Sequence, residues 1–582
     1  MRPYYFPLLC VLIAGCSIEV VPPNANADDL ELDDAGETEE EAPEDAAPPY
    51  DGRPPEDAGA TQDAKDVAPQ DVAPPQDVAQ DAAKEDAKPQ DSAPQDAKPQ
   101  DSAPQPTDAS DASNSNLIVQ TDISITEVAI FQGIKVPLMK DGVAAKSTYA
   151  PIVAGRPGVL RVYVKPGAAY QKRQLTAELT LAGQASTIVR QVKMTVSKSS
   201  SESALDSTIN FDLTDVDLSA GSAQFKVRLL GQTASAAPND PPAQYPASPG
   251  MASIDVASSS KLKIVLVPVR YNADGSGRLP DVSAATVEEY RKAFLETYPV
   301  DAVDISVHAA LPWASAIDAE NGWDDLLDQV IALRAQDLAT KDAYYLGIVK
   351  PRTTYEIFCP DSCTAGLASI VTNPTDSNFR AGVAISFSGD PYDLRSSLDT
   401  AIHETGHMHG RVHVGNDGTN PYCGTPVGLD NAYPYASGSI GTWGYGILGK
   451  RIYSPSTYSD FMGYCYDNWV SDYTYGALLT RVNAVVPLAK NISLPGGDYR
   501  FVKVGKDGSL RWGLTVNFPT PPTNNPITVR LAGANGATSN ISGYYYPYGD
   551  REGGDVLVRK SDLNGKWLEL DILGKTRTLA TQ

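Results

Sequence analysis

Four of the five histidines in this 582-residue sequence lie within a span of eleven residues. His403, His407 and His413 follow the pattern HExxHxxGxxH, in which Glu404 comes after the first histidine and Gly410 before the last. Histidines four residues apart project from one face of a helix, and neutral imidazoles bind Zn²⁺ at about 2.0–2.1 Å. The pattern therefore predicts a Zn²⁺ centre held by His403, His407 and His413.

Glu404 is the candidate catalytic base of this centre. Three imidazoles leave a fourth metal position for water, and an adjacent carboxylate can take a proton from that water and pass it to a leaving amine. His409 lies six residues after His403, about 240° around a helix, and is expected not to be a ligand. Asp417 stays open as a third ligand in place of His413. The predicted chemistry is metal-assisted hydrolysis.

The residues around the motif predict the helix that carries it. Asp390 and Pro391 suit the N-cap and the first turn of a helix. Gly410 can adopt the left-handed conformation that ends a helix and returns the chain, which lets His413 reach the metal. Apolar side chains spaced four residues apart predict the core-facing stripe of this helix: Leu394, Leu398 and Ile402.

Composition divides the rest of the chain. Residues 16–116 hold 27 acidic and 5 basic residues but one aromatic, which predicts a disordered tether. Residues 117–258 alternate apolar and polar side chains and predict an immunoglobulin-like β-sandwich. Residues 488–582 predict a second one. Between them, residues 259–487 predict an α/β domain in which strands and helices alternate, at 263–269, 284–296, 303–307, 323–335, 344–349, 366–371 and 382–387.

The charge of −25 excludes some classes of function. Residues 117–582 carry 45 acidic and 41 basic side chains, so the acidity belongs to the tether and the rest of the chain is nearly neutral. A nucleic-acid partner therefore has no support from charge. No stretch reaches the ~18 consecutive apolar residues of a membrane span. We expect neither a nucleic-acid-binding protein nor a transmembrane helix.

Residues 1–15 read as a leader that is removed. Arg2 gives a positive start, residues 8–14 form an apolar run, and Ala14 and Gly15 precede Cys16. This arrangement resembles the lipobox of bacterial lipoproteins, in which the cysteine is acylated, and Ser17 then implies sorting to the outer membrane. The alternative is an ordinary signal peptide with an incidental cysteine. The resemblance implies a membrane partner reached through a lipid anchor, with the protein at the cell surface.

Four further cysteines fit an exported protein. An even set in an oxidising compartment predicts two disulfides with three possible connectivities. We favour Cys359–Cys363, which closes a short loop, and Cys423–Cys465, which fastens the segment after the zinc helix. No cysteine lies between residues 17 and 358, so no thiol from that stretch can block the metal.

The histidine motif resembles that of the metzincin zinc endopeptidases, which place a methionine-containing turn under the metal. Residues 459–464, Ser-Asp-Phe-Met-Gly-Tyr, lie about fifty residues downstream and fit this turn, so the resemblance implies that Met462 is its methionine. In the astacin and serralysin branches, a tyrosine two residues later lies beside the metal and stabilises the reaction intermediate. Tyr464 matches that spacing and is implied to be catalytic. The alternative is that Tyr464 packs beside Cys465.

Other segments resemble bacterial surface metalloproteases. Residues 439–445 and 469–475 are similar to that group, and residues 150–156 to the mucin-degrading StcE/dictomallein family. The resemblance implies a metzincin-like catalytic domain between two β-sandwiches and an endopeptidase acting on extracellular proteins, glycoproteins included. The alternative is a surface adhesion or glycan-binding lipoprotein with a silent metzincin fold, against which the intact Glu404 argues. The tyrosines at 544–546 and 548 offer a glycan platform or, as we favour, core packing.

Overall fold

The computed structural model describes residues 117–183, 187–232, 240–415, 424, 426–465, 467–488, 496–533 and 535–581. They lie in one compact unit of the chain, Pro106–Gln582. The leader, Cys16, the predicted tether, Asp417 and Cys423 lie outside the described residues. Strands predominate over helices in the described part, as predicted for a β-rich chain. None of its helices combines the length and the apolar character needed to cross a membrane.

Two sheets form around residues 117–258. The first, in spatial order, contains Ile152–Val153, Ala252–Ala257, Gly221–Gly231, Arg173–Ala182 and Thr187–Val196, with Ile118–Val119 and Gln244–Tyr245 also paired to Gly221–Gly231. The second contains Arg451–Tyr453, Gly444–Gly446, Gly133–Lys140, Ile123–Phe131, Gly158–Pro166 and Ile209–Leu213, with Val143–Ala144 paired to Gly133–Lys140. Alternating apolar side chains from both sheets are buried in one core, as the sequence pattern predicts.

Two strands of the second sheet come from the region assigned by sequence to the α/β domain. Gly444–Gly446 pairs with Gly133–Lys140, and Arg451–Tyr453 pairs with Gly444–Gly446. The Trp469 indole also donates to the Gly133 carbonyl at 2.7 Å. The two regions are therefore joined by shared sheet structure, which a boundary drawn at residue 259 from composition does not anticipate.

A third, central sheet is parallel except at one edge. Its spatial order is Val303–Val307, Leu262–Tyr271, Ala343–Val349, Ala381–Ile385 and Gly366–Ala368, with Leu311–Trp313 also paired to Leu262–Tyr271. Gly366–Ala368 is antiparallel to its neighbour. The inner strands Ala343–Val349 and Ala381–Ile385 are continuous, buried apolar runs because both faces are covered, which is typical of parallel sheets, whereas the edge strand Val303–Val307 is largely exposed. The strands of this sheet agree with those predicted from sequence to within a few residues.

Five α-helices lie in the described residues: α1 (Ala284–Thr297), α2 (Trp323–Gln336), α3 (Tyr355–Phe358), α4 (Pro391–Met408) and α5 (Asp472–Leu488). A β-carbon added to Gly347 would lie 2.7 Å from Val330 of α2, and one added to Gly382 would lie 3.4 Å from Met408 of α4. Because Gly347 and Gly382 point to opposite faces of the sheet, α2 and α4 cover opposite faces.

The C-terminal residues are rich in strands, as predicted, but they form one antiparallel sheet and not the two packed sheets of a sandwich. Its spatial order is Leu510–Phe518, Gly497–Val504, Gly554–Arg559, Thr538–Pro547, Pro526–Ala532, Trp567–Ile572 and Lys575–Ala580. The sheet curls until its ends meet, since the Trp512 indole donates to the Ala580 carbonyl at 2.6 Å. Tyr546 and Tyr548 are buried, as favoured from sequence, and Phe379 stacks on Tyr546 with ring centroids 3.6 Å apart. The C-terminal sheet therefore shares a core with α2 and the central sheet.

Candidate metal centre

Helix α4 begins and ends as its sequence predicts. Asp390 is the N-cap, with its carboxylate accepting a hydrogen bond from the Asp393 amide at 2.8 Å, and Pro391 occupies the first turn. The helix ends at Met408, and Gly410 adopts a φ of 81°, the left-handed conformation that favours glycine. The chain turns back at this point, and His413 returns to the face of α4 that carries the other two histidines.

The three predicted ligands converge on one point. The Nε2 atoms of His403 and His407 are 3.1 Å apart, and those of His403 and His413 are 3.2 Å apart. Nitrogens bound at about 2.0–2.1 Å to one tetrahedral ion lie about 3.3 Å from each other. The two distances from His403 are therefore those of ligands to a single metal ion.

The other ring nitrogens explain why the Nε2 atoms face inward. His403 Nδ1 lies 2.7 Å from the Phe461 carbonyl, His407 Nδ1 lies 2.8 Å from that of Arg411, and His413 Nδ1 lies 2.5 Å from that of Val427. A carbonyl oxygen only accepts hydrogen bonds, so the proton of each neutral ring sits on Nδ1. Three Nε2 lone pairs then meet without a proton between them. A bound metal ion would satisfy all three.

A fourth side chain, Asp550, joins the cluster from the C-terminal sheet. Asp550 Oδ1 lies 3.3 Å from His403 Nε2 and 3.4 Å from His413 Nε2, and Oδ2 lies 3.6 Å from His407 Nε2. The four ligand atoms all lie within 4.8 Å of one another, so this group could bind a metal ion. Asp550 is not predictable from the histidine motif, because it lies 137 residues after His413. No motif spacing connects them.

Within this cluster, two buried carboxylate oxygens have no hydrogen-bond partner among the described residues: Glu404 Oε2 and Asp550 Oδ2. Burial raises the pKa of the Glu404 carboxyl well above its usual range, and the nearby Asp550 charge raises it further. Burial also lowers the pKa of His407 to about 4, which favours its neutral ring. At His403 burial lowers the pKa too, but the hydrogen bond and charge of Asp550 outweigh burial and raise it. Imidazole nitrogens and a carboxylate oxygen are donors that a divalent cation takes in place of protons, so these residues fit a metal.

Glu404 lies between the histidines and the edge of the central sheet. A β-carbon added to Gly366 would lie 2.3 Å from Glu404 Oε1, so the absence of a side chain at Gly366 makes room for this carboxylate. Gly366, the first residue of the edge strand, is thus in direct contact with Glu404. Any residue larger than glycine there would displace Glu404.

Met462 lies beneath the histidines. A β-carbon added to Gly406 of α4 would be 2.3 Å from Met462 Sδ, so the methionine packs against the helix between the first two ligands. The turn is held by Asp460, whose carboxylate accepts from the Met462 amide at 2.9 Å and from the Ser471 amide at 3.0 Å. Tight packing at this position supports the ligand-bearing part of α4.

Tyr464 lies beside the third histidine. Its ring centroid is 4.8 Å from that of His413, and its hydroxyl donates to Asp550 Oδ1 at 2.8 Å. Burial raises the pKa of the Tyr464 hydroxyl, and the Asp550 charge raises it further, so the phenol is neutral and acts as a donor. The structure thus places Tyr464 at the centre, with its hydroxyl on the Asp550 carboxylate.

The remaining candidate residues are placed as follows. Cys359 and Cys363 form the predicted disulfide, with Cα atoms 5.4 Å apart. Cys465 is also disulfide-bonded, and its predicted partner Cys423 lies outside the described residues. His409 stays out of the cluster, since its Nδ1 lies 2.8 Å from the Thr405 carbonyl and its ring stacks on Tyr344 at 4.2 Å.

No protein-family model matches this chain, and no curated protein matches it either. Among solved structures, a cycloisomaltooligosaccharide glucanotransferase of Paenibacillus sp., complexed with cycloisomaltoheptaose, shows 11% sequence identity. The match covers 76% of this chain and 70% of that chain, with a TM-score of 0.14. A likeness at that level carries no weight for fold or function.

Proposed function

We propose that this protein is a zinc-dependent endopeptidase of the metzincin type that hydrolyses peptide bonds of extracellular proteins, glycoproteins among them. The observation that carries the proposal is the convergence of three histidine Nε2 atoms beside the buried Glu404 carboxylate.

The donor set favours Zn²⁺. Three imidazoles with an oxygen donor suit this ion, and three protein nitrogens with one exchangeable position are typical of catalytic zinc. Such an ion, held by His403, His407 and His413, supplies Lewis-acid chemistry to a carbonyl and makes water a stronger acid.

Glu404 moves the proton in the proposed reaction. As the oxygen of water forms its bond to the peptide carbonyl carbon, the Glu404 carboxylate accepts the proton that water loses. That proton passes to the amide nitrogen as the carbon–nitrogen bond breaks, and the second proton of the water ends on the amine, so the products are a carboxylate and an ammonium group. Glu404 Oε2, which has no other hydrogen-bond partner in the described part of the chain, is the atom available for this transfer.

The proposed location at the outer membrane depends on Cys16. We expect the leader to be removed before Cys16 and the protein to be anchored in the bacterial outer membrane by acyl chains, each buried CH₂ contributing about 0.8 kcal/mol. Metabolic labelling with a fatty acid should mark the wild-type chain and not Cys16→Ser. Cys359→Ser is the matched control, because it removes a cysteine that is not at the processing site. Equal labelling of wild type and Cys16→Ser would contradict the anchor.

The full chain and its Asp550→Ala variant test the activity. Each is analysed for bound metal and incubated with glycosylated and unglycosylated proteins, with and without a chelator. Both chains are assayed because Asp550 lies against the three imidazoles. We expect cleavage by at least one of them that stops with chelator and returns with Zn²⁺. Binding without cleavage by either chain would contradict the proposal and favour the adhesion alternative.

A further inference from the structure

The loop that carries Asp550 is the tip of a hairpin. Strands Thr538–Pro547 and Gly554–Arg559 are antiparallel neighbours in the C-terminal sheet, and Pro547 pairs with Gly554. Residues 548–553 connect them and project toward α4. The hairpin itself is part of a sheet with a buried core, so the position of the 548–553 loop is set by the fold around it.

The Asp550 carboxylate takes the place where a fourth metal ligand belongs. Its oxygens lie 3.3–3.6 Å from the Nε2 atoms of all three histidines, close to the about 3.3 Å expected between ligands of one tetrahedral ion. Tyr464 orients the carboxylate by donating to Oδ1. Oδ2 accepts no hydrogen bond of ordinary geometry from the described residues and lies near the Glu404 carboxyl, so its lone pairs face the centre.

The same loop covers the edge of the central sheet beside Glu404. The Ile370 amide donates to the Pro547 carbonyl at 2.8 Å, and the Gly549 amide donates to the Ala368 carbonyl at 2.9 Å. An extended peptide binds a sheet edge through this kind of main-chain hydrogen bond. The chain's own segment therefore occupies hydrogen-bonding positions that an incoming peptide would need.

No free space separates the loop from the histidines. A β-carbon added to Gly549 would lie 2.5 Å from His407 Nε2. Glycine at this position lets the backbone pass directly over the ring of a ligand. A substrate carbonyl and the 548–553 loop cannot occupy this volume together.

Arg551 fastens the loop to α2. Its guanidinium lies 3.0 Å from Asp324 Oδ1 and stacks over the ring of Tyr548 at 4.9 Å. The Tyr548 hydroxyl in turn donates to Asp555 Oδ1 at 3.1 Å, within the buried cluster around Lys503. Tyr548 and Arg551, which flank Asp550, are thus held by contacts that do not involve the three histidines.

We propose that Asp550 is a fourth protein ligand of the metal and that the 548–553 loop closes the centre to substrate and to external ligands. The inference rests on the metal centre of the proposed function and adds its regulation. The structure then represents a closed form, and activity requires that this loop move away. Tyr548, at the start of the loop, is buried in the core shared with α2, so the movement is confined to residues 549–553, and the sheet behind them keeps its own core.

Cobalt-substituted full chain tests the closure without any peptide. The visible spectrum of bound Co²⁺ changes when an external ligand binds the ion, and acetohydroxamate is the probe. A centre that is open for about one hundredth of the time shows an apparent dissociation constant about 100-fold above that of an open centre. We expect Asp550→Ala to reach half-saturation at an acetohydroxamate concentration about 100-fold lower than wild type does.

Two further variants make the test specific. Glu552→Ala alters an exposed residue of the same loop and should match wild type. Arg551→Ala keeps the ligand but removes the ion pair with Asp324, so its half-saturation should fall between those of wild type and Asp550→Ala. If Asp550→Ala is the one variant that loses cobalt, the loss supports Asp550 as a metal ligand. Closure is then tested by the acetohydroxamate half-saturation of Arg551→Ala.

Equal half-saturation in wild type, Arg551→Ala and a cobalt-bound Asp550→Ala would overturn the closure and leave the proposed endopeptidase untouched. A wild-type chain that binds no cobalt would overturn both proposals. Failure of hydrolysis in the protein panel, with the spectral difference intact, would overturn only the endopeptidase. The two proposals can therefore fail separately.

Discussion

Replacing Glu404 with glutamine is expected to lower kcat for peptide hydrolysis by about 10²–10⁴-fold, the contribution of a positioned general base. Glutamine keeps the size of the side chain but accepts no proton. Size matters because Glu404 Oε1 lies against Gly366 with no room for even a β-carbon. The isosteric change therefore tests proton transfer and avoids a change in packing.

We would measure kcat and bound metal with and without the Glu404→Gln change. The change is made in the native chain if that chain cleaves substrate, and otherwise in the Asp550→Ala chain. Glu356→Gln is the matched control, because Glu356 is exposed and away from the cluster. We expect the metal content of all three chains to be equal, since Glu404 is not among the ligand atoms that converge. Retained turnover in Glu404→Gln would rule out the base, and loss of metal would give Glu404 a structural role.

Predictions that depend on neighbours in sequence were the accurate ones. The start of α4 at Asp390 and Pro391, its reversal at Gly410 and the Cys359–Cys363 disulfide all involve groups within a few residues of each other. Capping and left-handed turns are set by local backbone sterics and hydrogen bonds. The sequence alone therefore contains most of what places His403 and His407 on one face.

Asp550 could not be predicted in the same way. Its distance from the histidines is determined by how the C-terminal sheet docks on α2 and on the central sheet, through buried contacts such as Lys503 with Asp328 and Tyr546 with Phe379. Residues 548–553 read in sequence only as a turn between two strands. An aspartate in a turn gives no sign in the sequence of metal binding. Only tertiary packing brings Asp550 to the histidines.

The second sheet shows the same limit. Gly444–Gly446 is too short to be recognised as a strand, and it becomes one only because Gly133–Lys140 offers an unpaired edge. Tyr445 supports this pairing by packing its ring against Phe131, with centroids 6.0 Å apart. Composition could separate an all-β region from an α/β region, but edge pairing between them is a property of the folded chain.

Tyr464→Phe is expected to have two opposite effects, one on chemistry and one on closure. The phenol is neutral and lies beside His413, so in an open centre it is placed to donate to the negative charge that develops on the substrate oxygen. Removing one such donor typically costs about 10²–10³-fold in kcat. In the closed form the same hydroxyl donates to Asp550 at 2.8 Å, so its loss also weakens the closure.

The two effects separate by background. In Asp550→Ala, where the closing carboxylate is absent, Tyr464→Phe should lower kcat by about 10²–10³-fold with a smaller change in KM, because the donor acts mainly in the transition state. Tyr149→Phe, an exposed tyrosine outside the cluster, is the matched control. Equal kcat in both Asp550→Ala and its Tyr464→Phe derivative would mean that the hydroxyl takes no part in the reaction.

With Asp550 present, the cobalt assay isolates the other role of Tyr464. A hydrogen bond to a charged group contributes about 1.5–3 kcal/mol, which is at least about tenfold in an equilibrium. Tyr464→Phe should therefore reach half-saturation with acetohydroxamate at a concentration at least about tenfold below that of wild type. The Tyr464 hydroxyl donates one hydrogen bond at a time. While it stabilises the closed form by donating to Asp550, it cannot donate to a substrate oxygen. A Tyr464→Phe chain that reaches half-saturation at the wild-type concentration would contradict this dual role, because the Tyr464 hydroxyl would then contribute nothing to the stability of the closed form.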